Sequence, residues 1–323
     1  MRVLVTGAFG TLGRAAVREL TARDHEVRCL DVPTRANRRA ARRRPAGVEV
    51  AWGDVRDPAT LRAAVAGRDA VLHGAAILAP ASESDPERSW AVNVDGTRAV
   101  VAALEAVAPD AVLVFPSSIS VFGADPARTT PVRADDPVVA SDNYTRQKIA
   151  CEEIVRASRL RWVVLRVGVC VDPTARQLDA AAIRLVFDVA PDNRVEYVHP
   201  EDVARAQANT LERPEAWRRV LLVGGGAACR VRHRDLVSTI FDALGLDAPP
   251  PEAFGDAPYY TDWMDTAESE RLLCYQRRTF DDFRAEMTAS LSTVRAFVRP
   301  ARPLVRRWLL GHSRPWRQRP APH

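Results

Sequence analysis

The chain has 323 residues, 47% of them hydrophobic and 27% charged, a composition that supports a buried core in one large or two modest domains. No apolar run approaches the roughly 18 residues of a membrane span. The five cysteines (Cys29, Cys151, Cys170, Cys229, Cys274) match neither a disulfide framework nor a metal-ligand spacing. The net charge of +5 is uneven: eight arginines and no acid follow Glu286, so that segment carries +8 and the remainder −3, which argues against a nucleic-acid-binding body. The chain enters a strand-like run at Arg2 with no signal-peptide pattern before it, so a reducing cytoplasm is expected.

Apolar runs predict strands at Val3–Thr6, Val27–Asp31, Val48–Trp52, Ala70–His73, Ala111–Pro116 and Trp162–Arg166. Helical patterns lie between them at Leu12–Ala22, Pro58–Ala66, Glu87–Val107 and Asn143–Ala157, with a basic excursion over Arg35–Arg44. Continuous β-branched runs alternating with helices predict an α/β fold, a Rossmann-type doubly wound parallel sheet. The second half is less regular. Strands at Val195–Val198 and Val220–Val223 and helices at Asp202–Leu211, Arg234–Leu244 and Phe280–Phe297 are expected, with Gly224–Gly226 a turn. The division that follows is a dinucleotide-binding domain over 1–168, a smaller C-terminal substrate-binding region over 169–298 with returning Rossmann elements at about 195–223, and a basic tail over 299–323. Pro300, Pro303 and Pro315 interrupt that tail, so a mobile extension is favoured over a basic amphipathic helix on a membrane surface or partner.

The first strand runs into Thr6-Gly7-Ala8-Phe9-Gly10-Thr11-Leu12-Gly13, and a helix follows. A glycine-rich turn there lets the backbone approach a pyrophosphate, with the helix presenting its positive end to the anion. Gly7, Phe9, Gly10, Thr11, Leu12 and Gly13 are therefore candidate cofactor contacts. Asp31 closes the second strand, where a carboxylate accepts ribose hydroxyls and repels a 2′-phosphate. NAD is thus expected ahead of NADP, with Arg35, Arg38 and Arg39 close enough to soften the preference.

Of 46 basic residues 45 are arginine; the one lysine, Lys148, stands four residues after Tyr144. At i and i+4 the two share a helix face. A phenol has a pKa of about 10, and a neighbouring ammonium stabilises its ionised form, making it a usable base for an alcohol proton. A compact lysine also reaches ribose hydroxyls as an arginine fork does not. Ser117, Ser118 and Ser120 are candidates for the third group, a donor to a substrate oxygen as charge develops on it.

Together these motifs resemble the extended short-chain dehydrogenase/reductase superfamily, in particular the NAD-dependent epimerase/dehydratase family. The resemblance rests on the glycine spacing, Gly53-Asp54-Val55, His73-Gly74-Ala75-Ala76, Asn93-Val94-Asp95-Gly96-Thr97, Ser117–Gly123, Tyr144–Lys148, Leu165–Gly168 and Val198–Ala204. It covers roughly residues 1 to 245, weakens through Ala248–Phe297 and is absent from the tail. It implies adenine contacts at Asp54 and Val55, a cofactor-lining Ala75, a framework or cofactor role for Asn93, and a catalytic trio of Ser118, Tyr144 and Lys148, the last two also touching the cofactor. His73 and His199 are read as strand-end histidines satisfied by backbone partners.

The departures matter too. Ile119-Ser120 stands where dehydratases of the family carry an acid pair, which counts against dehydration. Pro191-Asp192-Asn193 replaces the Gly-Asp-Gly turn of many sugar-nucleotide enzymes, although Arg176, Arg184 and Arg194 remain as candidates to grip a diphosphate. The substrate pocket is expected along Leu78–Trp90, Ile119–Ala124, Val167–Leu178 and parts of the C-terminal half. Three functions stay open: an NAD(P)-dependent oxidoreductase acting at a secondary alcohol or ketone, a (nucleotide-)sugar epimerase that retains its NAD, and a non-catalytic dinucleotide sensor. The expected partner is a small-molecule substrate, with no nucleic acid and with homodimerisation left open.

Overall fold

The structure is a computed structural model that describes residues 1–174 and 180–319. Seven strands form one parallel sheet: β1 (Arg2–Thr6), β2 (Glu26–Asp31), β3 (Glu49–Trp52), β4 (Ala70–His73), β5 (Val112–Ser118), β6 (Arg161–Val167) and β8 (Arg219–Val223), in the order β3-β2-β1-β4-β5-β6-β8. β7 (Arg194–Glu196) and β9 (Arg230–Arg232) pair antiparallel in a separate ribbon. The Rossmann-type doubly wound expectation holds.

The two-residue period of a strand sends alternate side chains to opposite faces. Val3, Val5, Val27, Cys29, Leu72, Val114 and Leu165 enter one apolar layer. Leu4, Leu30, Val71, Leu113 and Val164 enter the other. Helices α1 (Thr11–Ala22) and α9 (Pro200–Leu211) cover the first layer through Val17, Leu20, Val203 and Leu211. Helices α3 (Pro58–Val65), α6 (Gly96–Val107) and α7 (Asn143–Ala157) cover the second through Leu61, Val65, Val100, Leu104 and Val155. Burial on both faces is why these strands read as unbroken apolar runs, and each fully buried Leu contributes about 1.5–3 kcal/mol. The remaining N-terminal helices are α2 (Arg35–Ala41), α4 (Ala81–Ser84) and α5 (Pro86–Trp90).

After β3 the chain returns to the opposite side of β1, placing β4 there. The order therefore reverses between β1 and β4 and opens a crevice at their C-terminal ends.

Three expectations need correction. Val195–Val198 is not a returning strand of the main sheet: β8 occupies the edge beside β6, with Val163 opposite Arg219 and Val167 opposite Val223, so Val195 pairs with Val231 instead. Glu87–Val107 is not one regular helix, because a π-turn at Ala91–Asp95 separates α5 from α6. The third concerns the tail. After α8 (Ala180–Asp188), α10 (His233–Ala243), α11 (Ala267–Leu273) and α12 (Phe280–Ser290), the chain continues as α13 (Ser292–Val298), α14 (Arg302–Leu310) and α15 (Arg314–Gln318). Leu309 and Leu310 are buried against Phe187, Phe241, Leu246 and Phe254. Residues 299–319 are thus a packed arm. Pro303 and Pro315 lie in the first turns of α14 and α15, where a missing N–H costs nothing.

Among the described residues no helix is long and apolar enough to cross a membrane, and no cluster of His, Cys, Asp and Glu is arranged to hold a metal.

Candidate active site

The floor of the crevice is backbone. Gly7 has φ of +64°, and a Cβ on it would lie 2.7 Å from both the Ala75 nitrogen and the Gly74 oxygen. A Cβ on Gly13 would lie 2.7 Å from the Ala8 Cα, so glycine is what lets α1 close onto the turn. Gly10, the N-cap of α1, brings no side chain over the helix end. The result is an open cradle at the positive end of a 12-residue helix.

This cradle is one end of a cavity of about 550 Å³. Gly7, Gly10, Thr11, Leu12 and Gly13 line it, as do Asp31, Asp54, Val55 and Ala75. So do Ser118, Tyr144 and Lys148, which the sequence places far from the glycine turn. Two expected contacts do not reach it. Phe9 is buried, its ring 5.4 Å from Trp52, and its N–H donates to Asp31. Asn93 is also buried, with its amide consumed: Oδ1 accepts from Ile77 N at 2.7 Å, and Nδ2 donates to Ile77 O and to Gln147 Oε1. It ties the cavity-wall residue Ile77 to the Tyr144 helix through Gln147.

Asp31 accepts from the N–H groups of Phe9 and Val32 and from Asn37 Nδ2 at 2.9–3.0 Å. Burial holds its carboxyl above the ordinary range against those hydrogen bonds. Asn37 lines the cavity and went unnoticed in the sequence. Arg38 instead lies 5.3 Å over the Trp52 ring, and none of Arg35, Arg38 and Arg39 lines the cavity. Asp54 is paired with Arg56 at 2.6 Å, which holds its carboxyl low. Arg88 adds another unforeseen positive charge to the wall.

At the other end, Lys148 Nζ donates to Pro116 O at 2.8 Å and lies 5.9 Å from the centre of the Tyr144 ring. Burial raises the Tyr144 phenol and a hydrogen bond with Ser118 opposes it; burial lowers the Lys148 ammonium, which Cys151 and Glu152 oppose. Ser118 Oγ also accepts from Ser120 Oγ at 2.8 Å. Ser117 Oγ donates to Glu152, which forms a buried pair with Arg166 at 2.8 Å, both side chains 4% exposed. Of the competing serines, then, Ser118 interacts with the tyrosine while Ser117 and Ser120 are held by neighbours. Glu83 caps α7, accepting from the N–H groups of Asn143 and Tyr144.

Tyr259 and Tyr260 stack at 4.0 Å, share a hydroxyl hydrogen bond of 2.8 Å and lie within electrostatic reach of Tyr144. They fall where the resemblance weakens, and no motif signalled them. Of the expected pocket segments, Leu78, Arg88, Val167, Gly168 and Cys170 line the cavity, whereas Ile119, Val121 and Phe122 belong to a core cluster. Arg194 is committed to Asp262 at 2.6 Å, and Arg184 is grouped with His312, Arg314 and Arg317. Arg176 and Leu178 lie outside the described residues.

His73 is buried at the end of β4. Its Nδ1 is 2.7 Å from Thr6 Oγ1, and its Nε2 is 3.1 Å from Thr97 Oγ1, which donates to Asn93 O. Ala75 N–H donates to the same Thr6 hydroxyl. The directions are consistent with a neutral ring protonated at Nε2. His199 caps α9, accepting from Glu201 N, and faces Glu286 at 3.1 Å. Both histidines have partners, but not purely the backbone ones expected: His73 is held by the Thr6 and Thr97 side chains, and His199 by Glu286 as well as by Glu201 N.

A parallel sheet with a glycine turn at its switch point defines a Rossmann-type dinucleotide-binding fold. The chain belongs to the NAD-dependent epimerase/dehydratase family, whose model matches residues 3–224. Similar curated proteins include the photosystem II assembly factor Ycf39 of Cyanophora paradoxa, 25% identical over 69% of this chain and 64% of that protein. A dTDP-4-dehydrorhamnose reductase of Mycolicibacterium smegmatis is 32% identical over 51% and 44%. A UDP-glucose 4-epimerase of Corynebacterium glutamicum is 26% identical over 72% and 78%. The match spans less than two thirds of the length of the first two. Among solved structures, the dTDP-glucose 4,6-dehydratase DesIV of Streptomyces venezuelae with NAD shares the fold at a TM-score of 0.78 and 23% identity, covering 92% of this chain and 98% of that one.

Proposed function

We propose that the protein is an NAD-dependent oxidoreductase acting at a secondary alcohol or ketone, with Tyr144 as general acid and base. The observation that carries this reading is the meeting of Ser118, Tyr144 and Lys148 with the glycine cradle and Asp31 in one cavity. The residues fit NAD: a Cβ at Gly7 would close the cradle, Asp31 stands at the end of β2 beside it, and none of Arg35, Arg38 and Arg39 lines the cavity to pair with a 2′-phosphate. NAD would be held by the cradle, Asp31, Val55 and Lys148, and when bound it supplies hydride exchange.

The protein's own residues handle the proton. Tyr144 takes it from the substrate hydroxyl in oxidation and returns it in reduction. Burial makes the phenol a poorer acid and the Ser118 hydrogen bond opposes it; in this reading the Lys148 ammonium, fixed by Pro116 O, adds to that opposition and helps stabilise the phenolate. Ser118 donates to the substrate oxygen where charge develops. Tyr259 and Tyr260, stacked on each other and within electrostatic reach of Tyr144, add an aromatic pair beside the phenol.

The test combines a binding titration with a variant. NADH should bind more tightly than NADPH, and mass spectrometry should identify any co-purifying nucleotide. Tyr144→Phe should keep NADH binding and lose at least ~10²-fold in rate on any substrate found by panel screening. Full activity in that variant would remove the mechanism. The likeness to a UDP-glucose 4-epimerase over 72% of this chain favours a second reading, epimerisation with retained NAD. Tightly held NAD with no net NADH formation during turnover distinguishes it.

A further inference from the structure

The C-terminal arm has a surface that the cavity chemistry does not use. The three most exposed large apolar side chains among the described residues are Phe297 (78%), Leu304 (72%) and Trp308 (58%). All three belong to α13 and α14. Leu304, Trp308 and His312 follow one another at i, i+4 and i+8, and the His312 ring packs 4.7 Å from Trp308. Exposure of this kind costs free energy in water and marks an interaction surface when it is contiguous.

The same segment carries the eight arginines that no acid accompanies. Seven of them, all but Arg295, line two recesses. One, of about 870 Å³, has Arg299, Arg302, Arg306, Arg307 and Arg319 around Trp316, with Asp247 as its single carboxylate. The other, of about 300 Å³, has Arg184, Arg314 and Arg317 beside His312. The buried Nε of Arg306 has no hydrogen-bond partner. Arg302, Arg306 and Leu310 run along α14 about 200° round from the Leu304–Trp308 stripe, and Arg307 lies between them. Cationic recesses therefore flank a bare apolar ridge.

We propose that this arm, residues 292–319, docks on an anionic phospholipid membrane, with Phe297, Leu304 and Trp308 entering the headgroup region and the flanking arginines receiving lipid phosphates. A small free anion would use the recesses and leave the ridge unexplained; an anionic bilayer uses both. Leu309 and Leu310 anchor α14 to the body, so the face is presented preformed. The remainder of the chain, at −3, is repelled by the same surface and fixes the orientation.

Flotation of the full chain with vesicles decides the matter. Vesicles of phosphatidylcholine with one-third phosphatidylglycerol should carry the protein upward, pure phosphatidylcholine should not, and high salt should release it. Each arginine at an anionic surface raises partitioning about five-fold, so Arg302→Gln with Arg306→Gln should lose about 25-fold. Phe297→Ser with Trp308→Ser should lose at least ~10-fold. Both double variants alter side chains outside the proposed NAD site, and unchanged NADH binding and melting temperature confirm that they fold. Failure of the parent protein to float with anionic vesicles overturns the proposal, as does equal flotation of the Phe297/Trp308 variant. Binding of inorganic pyrophosphate that persists under saturating NADH and is lost in the Arg302/Arg306 variant, without vesicle binding, overturns it in favour of a free-anion site. A dimer abolished by the same apolar substitutions, without vesicle binding, overturns it in favour of a second copy.

Discussion

Acidification should weaken the fold through His73. The ring is buried between Thr6 and Thr97, and burial first, then the Lys148 charge, push its pKa from 6.5 down to about 3. A proton on Nδ1 would also set a donor against the Thr6 hydroxyl, which already accepts from Ala75. The unfolded chain therefore binds the proton more readily. The contribution of His73 is fully present above about pH 6.5 and declines as pH falls toward about 3. Between about pH 7 and pH 5 the unfolded imidazole goes from roughly one-quarter protonated to nearly full, while the folded one stays neutral; linkage makes this about 2 kcal/mol. The figure depends little on the folded value so long as it lies well below 5. It is a substantial share of a typical stability of about 5–15 kcal/mol. Urea denaturation of the parent protein and of His73→Gln at both pH values provides the assay. The variant, which keeps a donor and an acceptor, should lose about 2 kcal/mol less between them. Subtraction removes the other titrating groups, including His25 and His233, which burial also lowers. Equal losses in the two proteins would refute the neutral, buried histidine.

Three further outcomes are expected. Gly7→Ala forces a side chain into positive φ and against the Ala75 backbone; it should cost about 1–2 kcal/mol or more in a melting experiment and weaken NADH binding in a fluorescence titration. Glu152→Ala strands the buried Arg166 and should cost about 3–5 kcal/mol, with much of it recovered by adding Arg166→Met, measured by denaturation of both variants. Asp31→Ser should shift the ratio of NADPH to NADH affinity upward by about 10-fold, read from paired titrations; an unchanged ratio would detach Asp31 from cofactor choice.

The parallel sheet was legible because its strands are buried on both faces, leaving unbroken apolar runs that few other arrangements produce. Most of the cavity was legible for a different reason: glycines at a strand end, a carboxylate closing β2 and a lone lysine four residues beyond a tyrosine are local patterns. What depended on tertiary placement was not. Asn93 has the polarity of a ligand contact, and only the approach of Ile77 and Gln147 shows that its amide is already spent. Tyr259 and Tyr260 reach the Tyr144 neighbourhood from a segment without a motif; Asn193 helps hold them there by accepting from Tyr259 N at 3.0 Å. The tail was misjudged because its prolines were read as interruptions, when two of the three start helices.

The crevice floor has a consequence for how such a site changes over time. Where Gly7 meets Ala75 the surface is peptide group against peptide group, so few substitutions there are tolerated and none adds a new functional group. The periphery is different: Asn37, Arg56 and Arg88 present side chains that do not hold the turn, whereas Asp31 also ties down the Phe9 N–H. Side chains can thus change at the edge while the glycine floor stays constant, and redesign of this protein has its freedom in those three positions.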